Sequence, residues 1–428
     1  LRIHLLSIAT FQYVALFLNF VLQFVLTWFI LPEVFGSFAK LQLATDILLG
    51  SITVGFHTAY LQVPEENNQK LLIHTIGLGI LQSILVIFLG FLIFIGFYFL
   101  DWYNLQDFIL SFLLLCSTAL VSIKQIFYVV YEKKQAFAFN SKINLYLNVV
   151  IAIPTMLLAF FFPTIELLVG RIVFANVLAF MVYLYLAVFD LQFRMPILFW
   201  KSWDMLLSKK IIYFSFRLYI ARLIEMLQTR IDILLVSYLF GNYELGIYER
   251  IKFYATLLQS LLNGFTQRLN SVQYRLQSNI NLLYHSHTII LLLSPLLYFA
   301  TFIGLFVLHY FFGLATLNQL FPLYFCFWAF AGLCSFLDNI RTYLQIHHAI
   351  IRTTMVMRLV PMFCFLLGNL LVYLSPFVLS IYWVAFLYSV SYLAVFLFLK
   401  PYLYSFAYLR FSKLIYRDIQ KYVEKNII

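Results

Sequence analysis

The chain has 428 residues, of which 64% are apolar and only 11% charged, whereas ordinary soluble domains carry roughly a quarter charged residues. A water-soluble fold of this composition would leave much apolar area facing solvent, so soluble classes are excluded. The formal charge of +11 then belongs to short loops facing anionic lipid rather than to a nucleic-acid surface.

Runs such as Ile76–Leu100, Phe108–Val130 and Ile381–Leu399 reach or exceed the roughly 18 residues that mark a membrane span. They are apolar at nearly every position, which excludes the alternating strands of a membrane barrel. Helices are the element that satisfies its own backbone in lipid. The predicted fold is an all-α integral membrane protein with twelve transmembrane helices, at 8–30, 39–61, 72–99, 108–130, 143–162, 166–189, 211–239, 247–271, 288–311, 320–345, 353–374 and 378–399. The first span runs on past the length of a cleavable signal and is expected to stay. Pro154, Pro295 and Pro361 are expected to bend their helices. The turn Phe162–Pro163–Thr164 either divides two spans or bends one long helix.

Cys116, Cys326, Cys334 and Cys364 fall inside apolar spans without metal-ligand spacing and read as small hydrophobes. His285, His287, His347 and His348 sit at span edges with no carboxylate or cysteine nearby in sequence, so they read as interface residues and no metal site is expected.

Charge placement orients the spans. With the N-terminus inside, the inner segments carry Arg2, Lys70, Lys133, Lys134, Lys142, Arg194, Lys201, Lys209, Lys210, Arg275 and Arg352, and the tail adds six more cations from Lys400 to Lys425. The outer links 31–38, 100–107, 163–165, 240–246, 312–319 and 375–377 contain no Lys or Arg. The positive-inside rule therefore puts both termini in the cytoplasm. The link 190–210, with Phe193, Ile197, Phe199, Trp200, Trp203 and Leu206 among basic residues, reads as an amphipathic helix on the inner surface, and the basic tail 400–428 reads the same way.

The division at the link is supported by a weak repeat. Aligning Gly36 of Pro32–Phe38 with Gly246 of Asn242–Tyr248 also aligns an acidic residue before, an aromatic residue after, and Lys40 with Arg250. Six spans per half imply two lobes, 1–189 and 211–399, related by a pseudo-two-fold axis along the membrane normal.

The seventh span is the most polar. Arg217, Arg222, Glu225, Gln228, Thr229, Arg230 and Asp232 interrupt an otherwise apolar helix. At about 100° per residue, all but Arg230 fall on one face about 140° wide. Charges at that depth must face protein or water, because even lenient insertion scales charge roughly 2.5–3.5 kcal/mol for each. Asp46, Lys124, Arg171, Glu249, Arg250, Lys252, Asp338, Arg341 and Arg358 are further ionisable groups inside spans. A water-filled cleft with more basic than acidic groups suits a guest of negative charge. Arg222 is the cation expected deepest in it. Arg230, off the polar face, is expected to pair with Asp338 or Asp46. Asp46, Glu225, Asp232 and Asp338 are the candidate counter-charges or ligands of a coupling ion.

The pattern from Arg230 and Asp232 through Gly241 and Glu244 to Gly246 and Tyr248 resembles the seventh-span and outer-turn signature of bacterial polysaccharide-biosynthesis flippases, in the multidrug/oligosaccharidyl-lipid/polysaccharide exporter superfamily. The turn Leu31–Phe38 resembles the corresponding turn after span one, departing from it at Pro32, where glycine is common, and Phe35, where tyrosine is common. The resemblance implies translocation of an undecaprenyl-pyrophosphate-linked or similar polyprenyl-linked oligosaccharide from the inner to the outer leaflet, by alternating access of two lobes. It places Arg217, Arg222 and Arg230 in a cationic cavity and identifies no covalent catalytic residue, so a transporter rather than an enzyme is expected. No cofactor is implied beyond coupling to a proton or sodium gradient. Expected associations are a bacterial inner membrane, its lipids, and the polymerase and chain-length machinery of a lipopolysaccharide O-antigen or exopolysaccharide.

A cation-coupled multidrug exporter would share this plan but would want an acidic or aromatic cavity. A membrane glycan polymerase or ligase would want a large external loop, and every external link here is short. An ATP-driven pump would need a phosphate-binding Gly-rich loop, which is absent from the sequence.

Overall fold

The computed structural model describes residues 2–57, 60, 68–133, 137–189, 204–253, 256, 303, 327, 351–375, 380–392 and 394, with the side chains of 2–9, 12, 68–69, 132–133, 137–138, 214, 217–218, 221–222, 225 and 351–357 outside the description. Every regular element among these residues is helical. In chain order they are α1 (Arg2–Phe29), α2 (Pro32–Ile52), α3 (Asn68–Phe99), α4 (Leu105–Lys133), α5 (Phe137–Phe161), α6 (Ile165–Phe189) and α7 (Met205–Leu239), then α8, which opens at 242 and is described to 253, then α9 (Ile351–Leu374) and α10 (Ile381–Ser391). Among the described residues, Lys70–Phe99, Leu105–Tyr131, Phe139–Phe161 and Ile165–Phe189 are long and apolar enough to cross a membrane. The chain divides into two compact units, Leu1–Leu257 and Leu258–Ile428. The expected lobe boundary in 190–210 lies well before that division. Apart from Ile303 and Phe327, the predicted spans 288–311 and 320–345 fall outside the described residues, as do the tail 400–428, the link up to 203, Asp338, Arg341, Cys326 and Cys334.

Local chemistry explains where helices begin and end, and corrects the expected boundaries. The residues 32–38 were expected as an outer loop and are helical. Leu31 is extended (φ −66°, ψ 150°), Pro32 opens α2 and Glu33 sits in its first turn. A proline there forfeits no helical hydrogen bond, and a carboxylate favours the positive end of the helix dipole. Likewise 242–246 belongs to α8. The connections α1–α2 and α7–α8 therefore shrink to two residues each, 30–31 and 240–241. At its other end α2 stops at Ile52 instead of 61, where Thr53 turns extended and its N–H and Oγ1 both donate to Leu49 O. The Phe162–Thr164 turn is a true break between α5 and α6. Pro154 sits inside α5, and Pro361 inside α9.

In the first unit α1 packs on α5, α3 on α4, α4 on α6, and α2 on α7. One core joins Leu71, Ile126, Phe127, Tyr183 and Ile211, and a second joins Leu26, Leu114, Ala152, Ala159 and Val169. Outward positions are equally apolar, as Phe17, Phe88, Leu157 and Tyr185 show. Lipid gives apolar contacts little preference for the core, so polar cross-links supply specificity at about 0.6 kcal/mol each. Ser83 Oγ donates to Ala119 O (3.0 Å) between α3 and α4. Asn140 of α5 donates to Tyr128 O (3.2 Å) and accepts from Tyr183 Oη (3.3 Å), joining α4, α5 and α6. In the second unit α9 packs on α10, with Phe365 edge-on to Tyr388 at 5.4 Å.

The link's last residue is structured by α3. Asp204 caps α7, its Oδ1 accepting from Leu206 N (2.9 Å) and Leu207 N (3.2 Å), and its Oδ2 pairs with Lys70 Nζ at 2.8 Å. These donors, Lys70 first, hold the Asp204 carboxyl down at about 2, so the clamp is ionised and intact throughout the neutral range. Buried His74 completes it. Its Nδ1 lies 2.8 Å from Lys70 O and its Nε2 accepts from Asp204 N at 2.8 Å, which calls for the neutral ring with its proton on Nδ1.

Candidate functional site

The two repeated turns lie against each other. A Cβ built on Gly36 would fall 1.8 Å from Asn242 O, and one built on Gly246 would fall 1.8 Å from Pro32 O. Each glycine thus meets the main chain four residues before the other, the reciprocal form of contact made about a local two-fold axis. Hydrogen replaces a methyl at both places because backbone meets backbone. Polar contacts fasten the same corner. Asn242 Nδ2 donates to Ser37 Oγ at 3.0 Å, and Arg250 donates to Ile30 O while its guanidinium covers the Phe35 ring at 4.5 Å.

Deeper in the same packing lies a group of charges. Helices α2 and α7 run antiparallel, with Asp46 against Arg230, Gly50 against Met226, and Ser51 O accepting from Tyr219 Oη. The Arg230–Asp46 ion pair measures 2.5 Å. On the other side of α7, Asp232 is wholly buried. It receives Lys252 Nζ of α8 on both oxygens (2.8 and 2.7 Å) and Tyr248 Oη at 2.7 Å. Lys252 Nζ also donates to Thr229 O at 3.0 Å. Glu249 lies within electrostatic reach of Lys252, Arg230, Asp232 and Asp46. At about 1.5 Å per residue from the 30–31 and 240–241 turns, these groups stand on the order of 10–20 Å from the helix ends. That is well inside a hydrocarbon core roughly 30 Å thick.

The expected site is thus only partly assembled by what the structure describes. Of the two partners named for Arg230, Asp46 is the one in contact, and Asp338 lies outside the described residues. Asp232, expected on a water-lined face, is closed against α8, and Gln228 on the same face is buried too. Arg217, Arg222 and Glu225 stand on α7, but their side chains lie outside the description. Lys252, Tyr248 and Glu249 were not joined to Asp232 in the sequence reading. Glu249 and Lys252 were counted among the ionisable groups inside spans, but a span start at 247 set them within its first turns, and the start at 242 moves them more than a helical turn deeper. Among the described residues no group of His, Cys, Asp and Glu could hold a metal ion.

A family model described as polysaccharide biosynthesis protein matches residues 4–269. No curated protein matches the chain in sequence. Among solved structures, an inward-facing multidrug resistance MATE family transporter of the MOP superfamily shares 12% identity at a TM-score of 0.63, covering 96% of this chain and 99% of that one. An outward-facing form of such a transporter matches at 0.63 with 9% identity, covering 94% and 96%. A MOP superfamily transporter from Pyrococcus furiosus, described by the reverse polarity of its binding pocket, matches at 0.62 with 9% identity, covering 92% and 94%. The fold is therefore the all-α, two-lobed, twelve-helix membrane fold of these transporters.

Proposed function

The chain belongs to the polysaccharide biosynthesis protein family, and from that premise we propose that it moves a polyprenyl-linked oligosaccharide from the inner to the outer leaflet by alternating access. The observation that carries the reading is the family match over 4–269 together with transporter-fold likeness along nearly the whole chain. A pyrophosphate and its sugars cannot cross hydrocarbon, while the polyprenyl tail stays in lipid. The protein supplies a polar path for the head. Arginine suits the phosphates because its donors form a fork and its charge persists when partly desolvated. With Arg230 engaged by Asp46, Arg217 and Arg222 remain as the cations of the proposed path, and Arg222 is its centre. No covalent step belongs to this reading.

Arg222→Ala is expected to abolish flipping of fluorescent lipid-linked oligosaccharide in proteoliposomes while leaving protein yield near normal, and Arg222→Lys to keep part of the rate. A stable Arg222→Gln protein working at the unmodified rate would remove the anion-binding role. Running the assay with a proton gradient and then a sodium gradient identifies the driving ion. Transport of a cationic dye instead of the glycan would favour drug export, which the likeness to multidrug transporters keeps as the second reading.

The proposed setting is a bacterial inner membrane with both termini cytoplasmic. The corrected outer connections at 30–31, 100–104, 162–164 and 240–241 still contain no Lys or Arg. After removal of the native cysteines, a cysteine placed at 200 should react with an impermeant thiol reagent only from the inner side. Labelling from outside would invert the topology.

A further inference from the structure

We propose that Glu249 is a proton-binding site inside the membrane, and that its occupancy is linked to the packing of α2, α7 and α8. The proposal rests on the count and geometry of charges, and is independent of what the protein carries. Among the described side chains, three carboxyl groups and two bases share this region: Asp46 from α2, Arg230 and Asp232 from α7, and Glu249 and Lys252 from α8, with the Tyr248 hydroxyl beside them. The two ion pairs, Arg230–Asp46 and Lys252–Asp232, already match the two bases with two of the acids. Glu249 is the acid left over. Its Oε1 is shut off from solvent and has no hydrogen-bond partner among the described residues.

An ionised Glu249 would leave this described set with one uncompensated negative charge in a medium that solvates it poorly. A protonated one leaves it neutral. The reaction is a simple one: the carboxylate takes a proton from water to become a carboxylic acid, with no other bond made or broken. On ionisation, Glu249 draws on the same cations that hold the pairs. It competes with Asp232 for Lys252 and with Asp46 for Arg230, and both pairs tie α7 to a neighbour. Loss of the proton therefore loosens α2 and α8 from α7, and its return restores them. Lys252 is the more strongly contested of the two cations, since it shares α8 with Glu249 and stands three positions further on.

The test is an infrared titration of the full chain in lipid, reading the carbonyl stretch of protonated carboxylic acids from mildly acid to mildly alkaline buffer. The expected result is a titrating band in the unmodified protein that disappears in Glu249→Gln and survives, shifted, in Glu249→Asp. If Glu249→Gln fails to accumulate, the shifted band of Glu249→Asp carries the assignment. A folded Glu249→Gln protein with the band at full strength would overturn the proposal. So would an unshifted band in Glu249→Asp, loss of the band in Asp46→Asn with its retention in Glu249→Gln, or no titrating band in the unmodified protein.

Discussion

Gly246→Ala is expected to destabilise the protein by roughly 1–3 kcal/mol, the range for forcing extra atoms into a filled space. The new methyl would sit 1.8 Å from Pro32 O and 3.0 Å from Gly36 N, and both are main-chain atoms that cannot swing aside. Relief requires α8 to move away from α2, which strains the Asn242–Ser37 and Arg250–Ile30 contacts at the same corner. Gly36→Ala should behave alike, since its methyl would meet Asn242 O at 1.8 Å. The double variant should cost less than the sum, because one separation of the helices relieves both collisions. Gly96→Ala is the internal control. It has nothing within 4 Å and lies inside α3, so alanine there should stabilise by about 0.5–1 kcal/mol. Thermal unfolding in a single detergent ranks the four proteins. Equal midpoints for Gly246→Ala and Gly96→Ala would show that the turns do not meet as described.

Lys252→Met should be at least as damaging, at about 3–5 kcal/mol, because it strands a buried carboxylate. Asp232 has no exposure and takes both of its charged contacts from Lys252 Nζ, leaving, among the described residues, the Tyr248 hydroxyl once the ammonium is gone. Pairing the change with Asp232→Leu should recover most of the loss, since apolar side chains of similar volume fill such a site at little cost. The measurement is the unfolding midpoint of the two single variants and the double one. A double variant no better than the worse single would show that Asp232 and Lys252 act separately.

Much of the fold was legible because lipid imposes length and apolarity on each span. The bounds of α3, α4, α6 and α9 depart from expectation by only a few residues. The two turns expected on the outer side, 31–38 and 240–246, were misjudged for a specific reason. Pro32, Glu33, Asn242 and Glu244 look like loop residues by polarity, yet each is well placed in the first turn of a helix, where free N–H groups and the dipole welcome them. That error carried over to the charges. With α8 started late, Glu249, Arg250 and Lys252 were named as ionisable groups inside the span but set too near its start, and the Asp232–Lys252 pair was invisible. Asp46 could be named for Arg230 because both were deep in any plausible placement of their helices. The partnership of Gly36 and Gly246 was half legible. Their alignment in the repeat gave equivalence, but no linear pattern says that equivalent elements touch. His74 gave no signal at all, since its partner is a backbone N–H on the far side of the link.

The contact between the two turns has a bearing on how such a sequence can change over time. Main-chain atoms are the same whatever residue bears them, so an interface made of carbonyl against glycine depends on side-chain identity at only two positions. Surrounding residues can drift, exchanging one apolar group for another, without disturbing the spacing of the helices. A protein built on such a seam can retain its architecture while the sequence around the two glycines changes.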